Sequence, residues 1–299
     1  MSPRTLALTG LALIAFAANS ILCRFALKQG LIDPVAFTQV RLLSGAIMLW
    51  PILAWRQRSA PGFEVTLKSW RPAAALFVYA VAFSLAYVAM GAGAGALILF
   101  ACVQISMIGI AMARGLRPGA LEWTGLALAF AGLVWLVAPG ISAPPAMSAG
   151  LMAVAGIAWG LYTTLGKGEA DALATTARNF ILAAPFALVL FAFGPNLSGA
   201  SAQGLALAAT SGAITSALGY VVWYAALKGL GTMQASIIQV ASPVIVAFGG
   251  VIFLGEAFTL RLVVASVAIL GGIILTIRAG AVRNYAAQEA GGGPKRVSK

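Results

Sequence analysis

The chain has 299 residues, 61% of them hydrophobic and 9% charged, and its mean hydropathy is +0.98. That balance excludes a soluble globular domain and fits a polytopic helical membrane protein. The formal net charge of +12 does not point to nucleic acid, because the basic residues are scattered at the ends of apolar spans and form no patch interleaved with stacking aromatics.

Ten apolar spans follow one another, with expected limits 5–27, 34–55, 71–90, 93–113, 119–138, 146–166, 174–193, 203–227, 231–254 and 259–278. Each is close to the roughly 20 residues that cross a hydrocarbon core. Arg4 leads directly into a full-length span with no polar cleavage region behind it, so no cleavable signal peptide is expected. Polar or aromatic residues interrupt several spans at depth: Asn19 and Ser20 in the first, Tyr79 and Phe83 in the third, Gln104 in the fourth, Trp159 and Tyr162 in the sixth. The ninth, within the stretch 234–256, carries Ser236, Gln239, Ser242 and Pro243 on one stripe and an oily face opposite. Pro243 removes the helical partner of the Gln239 carbonyl, so a kink lined by polar groups is expected there. The Gly-rich basic tail, 281–299, is expected to be a disordered cytoplasmic segment.

The basic residues set the expected orientation. With the N-terminus in the cytoplasm, Arg4, Arg56, Arg58, Lys68, Arg71, Arg114, Arg117, Lys167, Lys228 and the tail cations lie inside, and only Lys28 and Arg261 fall in outer loops. Both termini are then cytoplasmic. Trp50, Trp55, Trp70, Trp123 and Trp135 stand near span ends, where an aromatic belt belongs.

The two halves echo each other. Arg41 in span two matches Arg178 in span seven, and Arg24 and Lys167 close spans one and six. Five spans per half is an odd number, so the second half enters the membrane from the opposite side. The expected architecture is therefore all-α, with ten transmembrane helices as two inverted five-helix repeats, 1–140 and 141–280, around a central cavity.

The run S-P-V-I-V-A-F-G-G-V-I-F-L-G-E at 242–256, the following A-F-T-L-R-L-V-V-A-S-V-A-I-L-G-G-I-I-L, the A-W-G-L-Y stretch at 158–162 and the paired arginines resemble the EamA-type branch of the drug/metabolite transporter superfamily. Length and character are closest to the YddG-like amino-acid exporters. The resemblance implies a central substrate cavity and export of small metabolites, aromatic and other apolar amino acids foremost, across a bacterial inner membrane. The first half differs from the second in carrying Gln104 at the place of Pro243 and Arg117 at the place of Glu256.

Polarity nominates the cavity residues independently. Asn19, Gln104, Gln239 and Ser242 are polar groups far from span ends, and such groups generally face inward. Tyr79, Phe83, Trp159 and Tyr162 would supply a ring-accepting wall. Arg41, two turns inside its span, suits either a substrate carboxylate or freed carbonyls, and its repeat-related placement favours the structural role. Arg178 is close enough to its end to snorkel, and Glu256 reads as a helix-end pairing residue.

Enzymes, channels and cofactor proteins fit poorly. The chain has no histidine, no set of acids within the spans and no charged pore ring, and Cys23 and Cys102 read as small buried residues. No metal or cofactor is expected. The expected partners are a small neutral metabolite and the lipid bilayer, with a monomer as the working state and a dimer left open. Histidine is absent and no acid lies at the midplane, which favours uncoupled movement by alternating access; the alternative is a proton-coupled multidrug or other metabolite exporter of the same superfamily.

Overall fold

The computed structural model describes residues 2–56, 65–115, 117–140, 143–166, 169, 171–193, 197–230 and 239–291, the side chains at 193, 198 and 283–291 excepted. The described residues are helical and carry no strand. In chain order the helices are α1 Pro3–Lys28, α2 Pro34–Arg56, α3 Trp70–Tyr87, α4 Ala92–Ala113, α5 Ala120–Val137, α6 Ala146–Gly166, α7 Ala172–Val189, α8 Ala202–Leu227, α9 Ala241–Leu254 and α10 Leu260–Gly291. Apart from α9, all are long and apolar enough to cross a membrane. Residues 231–238, which open the expected ninth span and include Ser236, lie outside the described residues, as do Arg58, Glu64, Lys167 and 292–299.

Local chemistry places the ends. Ser2 accepts from the Thr5 amide, with Pro3 in the first helical position, to start α1. Asp33 accepts from the Val35 amide at 2.8 Å, Asp171 from those of Leu173 and Ala174, and Ser201 from that of Gly204. Glu122 reaches back to the Gly119 amide at 2.6 Å and starts α5. Gly255, at φ 61°, ends α9 in the left-handed conformation that glycine reaches without steric cost.

Pro243 stands in the first turn of α9, where a missing N–H costs little. Gln239 is helical and Val240 forms a turn, so the chain is interrupted just before α9, and the rest of the stretch in which a kink is expected lies outside the described residues. One detail departs from the sequence reading: the last helix runs to Gly291 and so continues into the segment expected to be a disordered tail.

The helices pack through small residues, which lets backbones approach where apolar burial gives no drive. A Cβ on Gly125 would lie 2.6 Å from the Gly272 carbonyl, and one on Gly272 would lie 2.5 Å from the Gly125 carbonyl, so α5 and α10 cross at a glycine pair. Gly156 meets the Leu99 carbonyl of α4 in the same way. Gly212 of α8 sits directly on the Arg41 carbonyl of α2. Trp50, Trp55, Trp123 and Trp135 are exposed near helix ends, and Trp70 packs edge-on against Phe186 at 5.7 Å.

Candidate functional site

The short connections make successive helices antiparallel, so the bundle has two ends. One, the Arg24 face, gathers the C-terminal ends of α1, α3 and α9 with the start of α4. The other, the Arg56 face, gathers the end of α2 with the start of α7.

At the bundle centre lies a cavity of about 20 Å³ lined by Phe16, Asn19, Ser20, Tyr79, Phe83, Leu99, Phe100, Trp159 and Tyr220. Its walls come from α1, α3, α4, α6 and α8. Rings dominate them. Tyr79, Phe83 and Tyr87 recur every four residues and share one face of α3. Trp159 is the hub: its ring lies 5.0 Å from Tyr79, 4.6 Å from Tyr220, 6.0 Å from Phe16 and 5.2 Å from Tyr162. From Tyr87 through Phe83, Tyr79, Trp159 and Tyr162 to Tyr224 the rings form an unbroken ladder, with centroid separations from 4.7 to 6.3 Å.

The polar floor of the cavity is built on a π-helical segment of α8, Ser211–Leu218. Hydrogen bonds from residue to residue five apart bring positions four and five apart onto one face. Ser211, Thr215 and Ser216 all donate to the Asn19 carbonyl oxygen, at 2.7, 3.4 and 3.3 Å. The Asn19 amide nitrogen donates to the Tyr79 hydroxyl at 3.4 Å.

Behind this floor stands Arg41, 1% exposed. Its Nε donates to Ser216 at 3.0 Å, and its Nη2 donates to the hydroxyls of Tyr79 at 3.2 Å and Tyr220 at 3.1 Å. The guanidinium carbon lies 5.1 Å from the Tyr79 ring centre and 5.0 Å from that of Phe83, within cation–π range. Nη1 is buried and has no hydrogen-bond partner among the described residues. The partners of Arg41 are thus side-chain hydroxyls and rings, not the carbonyls of a broken helix.

The structure therefore brings Asn19, Tyr79, Phe83 and Trp159 onto one cavity and stacks Tyr162 on Trp159. Gln104, Gln239, Ser242 and Pro243 are buried but do not line it. The Gln239 amide nitrogen and the Ser242 hydroxyl are buried without a described partner. Sequence reasoning passed over Ser211 and Thr215 and left Arg41 between a substrate carboxylate and freed carbonyls. The available signal was the S-x-x-x-T-S spacing at 211–216, in which helical periodicity of 3.6 aligns Ser211 with Thr215 but leaves Ser216 off their face.

Ion pairs close each end. On the Arg24 face, Arg24 bonds Glu256 at 3.3 Å and also donates to the Tyr87 and Val88 carbonyls at 2.8 and 2.9 Å. Glu256 in turn accepts from the Ala92 amide at 2.7 Å, and Lys28 donates to the Leu254 carbonyl at 2.8 Å. Glu256 is thus the helix-end pairing residue expected of it. A second pocket, of about 320 Å³, opens beside this pair. On the Arg56 face, Arg56 meets Asp171 with two contacts at 2.7 and 3.2 Å, and Arg178 reaches Glu169 at 3.5 Å. Nearer that face the Tyr162 and Tyr224 hydroxyls and the Asn179 amide are buried without described partners. Among the described residues no cluster of acids and cysteines could hold a metal ion, and Cys23 and Cys102 are free and buried.

The described helices thus form a membrane bundle closed around a small chamber of rings and one amide side chain. Residues 146–278 match the EamA-like transporter family, and the nine described helices long and apolar enough to cross a membrane make the chain a multi-pass membrane protein. An uncharacterized protein of Pseudomonas aeruginosa is 50% identical over 275 residues, covering 92% of this chain and 94% of its own. An uncharacterized transporter of Archaeoglobus fulgidus is 29% identical over 160 residues, 52% of this chain and 56% of its own. A crystal structure of a protein 17% identical in sequence superposes with a TM-score of 0.65 over 94% of this chain and 99% of that one, which shows the shared fold.

Proposed function

We propose that this chain is a secondary exporter that moves small metabolites with an aromatic or apolar body, amino acids foremost, by alternating access through the central cavity and without ion coupling. The observation that carries the reading is the position and state of that cavity. It lies among five helices, its walls combine six-membered and indole rings with Asn19, and an ion pair stands at each end of the bundle. At about 20 Å³ it holds about one water, whereas a bound metabolite needs a pocket of roughly 300 Å³ or more. This is the form expected of a closed carrier between its two open states.

Two inverted repeats, 1–140 and 141–280, fit the placement of Tyr79 and Tyr220. Each starts a tyrosine–ring pair four residues apart, Tyr79 with Phe83 and Tyr220 with Tyr224, and the two hydroxyls meet at 3.5 Å. The described acids support uncoupled movement, since Asp33, Glu122, Glu169, Asp171 and Glu256 all cap helix starts or pair with arginines at the two faces. Orientation in a bacterial inner membrane with both termini cytoplasmic rests on the basic residues. Arg4, Arg56, Arg71 and Arg114 share the Arg56 face, against Lys28, Arg261 and Arg24, which is paired with Glu256, on the other.

The test is counterflow into liposomes that hold the purified chain. Labelled phenylalanine is expected to exchange against unlabelled phenylalanine, and an imposed pH or Na⁺ gradient is expected to drive no uphill accumulation. Accumulation driven by either gradient sinks the uncoupled mechanism, and a lack of any exchange sinks the cargo.

A further inference from the structure

If the central cavity is the cargo site, as proposed above, its charge balance narrows the cargo. Arg41 carries a full positive charge, since a guanidinium keeps its proton inside proteins. It lies about 10 Å into its helix, counting 1.5 Å for each residue from Pro34. No carboxylate among the described residues reaches it, because each has a place at one face or the other. An uncompensated charge in a bilayer core is costly and marks function more often than packing.

The hydrogen bonds around Arg41 have a direction. The Tyr79 oxygen accepts from Arg41 at 3.2 Å, from Asn19 at 3.4 Å and from Tyr220 at 3.5 Å, which leaves the Tyr79 proton to be donated elsewhere. Tyr79 and Tyr220 both line the cavity. The one strong acceptor there, the Asn19 carbonyl oxygen, is already used by three hydroxyls. The cavity thus offers a cargo donors and ring faces, with no carboxylate to receive an ammonium.

We propose that Arg41, acting through the hydroxyls of Tyr79 and Tyr220, makes the cavity a carboxylate receptor, so that the cargo class is small monocarboxylates with an aromatic or apolar body. The α-ammonium of an amino acid is tolerated against the ring faces and is not required. Arg41 is a specificity-determining residue behind the wall, and the two phenols deliver its charge to the cargo.

Three labelled probes that share a phenylethyl body separate the charges: 3-phenylpropionate, phenylalanine and phenethylamine. Equilibrium binding to the purified full chain should be at least as tight for phenylpropionate as for phenylalanine, and weaker for phenethylamine by about tenfold or more, as expected for hydrogen bonds to a charged group. Arg41→Gln should erase that preference. If Arg41→Gln does not fold, the Tyr79→Phe/Tyr220→Phe double variant keeps every ring and removes the free Tyr79 donor together with the Tyr220 hydroxyl that donates to it, and it should reduce the preference several-fold. Phenethylamine binding as tightly as phenylpropionate, or a preference untouched by the double variant, overturns the proposal. Trp159→Leu alters the ring wall and leaves the donors, so it should weaken all three probes together. If it weakens none, the cavity reading itself falls, and the failure is recognisable as that one.

Discussion

Removing the Asn19 side chain strands three hydroxyls at once. A buried donor left without its acceptor costs about 1–3 kcal/mol, but Ser and Thr can turn back to carbonyls of their own helix, as Thr215 already does toward Ser211 at 3.0 Å. The net loss for Asn19→Ala is therefore put at about 2 kcal/mol. A lower melting temperature in detergent and transport reduced by about tenfold are the expected readouts. Gln104→Ala and Gln239→Ala, which change no cavity wall, should reduce transport less than Asn19→Ala does. Asn19→Asp makes a sharper test. It sets a carboxylate beside the Tyr79 hydroxyl and gives Arg41 a counter-charge within the chain, so phenylpropionate binding should fall while phenethylamine binding rises.

Among the elements, α8 is the irregular one. Deleting Ile214, which faces outward at 47% exposure, would remove the extra residue of the π-helical segment and let it close as ordinary α-helix. Ser211, Thr215 and Ser216 would then stand at three- and four-residue spacing, on one face, and Tyr220 and Trp223 would keep their places against Arg41 and Phe16. The variant should reach the membrane fraction and keep transport, and a loss of transport there would show that the widened turn itself is needed. At the α5–α10 crossing, Gly272→Leu drives a side chain into the Ala129 amide and the Gly125 carbonyl, and overpacking of this kind costs about 1–3 kcal/mol. It should lower the melting temperature and leave the order of probe affinities unchanged. The spans themselves were legible in the sequence, because hydropathy and length alone mark a membrane helix, and the Tyr79–Phe83–Tyr87 stripe was legible because it follows ordinary helical spacing. The Ser211–Thr215–Ser216 face was not, since Ser216, five residues from Ser211, joins it only when the helix is widened to five-residue bonds. Nor was the role of Arg41, whose partners stand 38, 175 and 179 residues away on two other helices.

Taken whole, the molecule is held shut unequally. The Arg24–Glu256 pair is mostly buried, with side-chain exposures of 12% and 16%, and it ties together the ends of α1, α3, α4 and α9. The Arg56–Asp171 pair is 54% and 35% exposed, and pairs of that kind contribute about 0–1 kcal/mol. Glu256→Gln should therefore bias the bundle toward opening on the Arg24 face. Cys23 adjoins Arg24, is fully buried, and serves as the reporter. Its labelling by a membrane-impermeant maleimide should quicken several-fold in Glu256→Gln and hardly at all in Arg56→Gln. Equal labelling of parent and Glu256→Gln would show that the pair is no latch.

The unbalanced guanidinium at the centre also has an electrical side. On the proposed mechanism and cargo, an empty carrier holds one net charge at Arg41, and a carrier loaded with phenylpropionate holds none. A charge carried through the whole membrane field changes energy by about 2.3 kcal/mol for each 100 mV. The proposed alternating access would redistribute that field around Arg41, so voltage would act on the return of the empty carrier and leave the loaded step alone. Exchange of cargo for cargo, which never passes through the empty form, should then run at one rate whether the liposomes are clamped at zero or at a strong potassium diffusion potential. Net efflux, which must reset the empty site at every cycle, should speed up under one polarity and slow under the other.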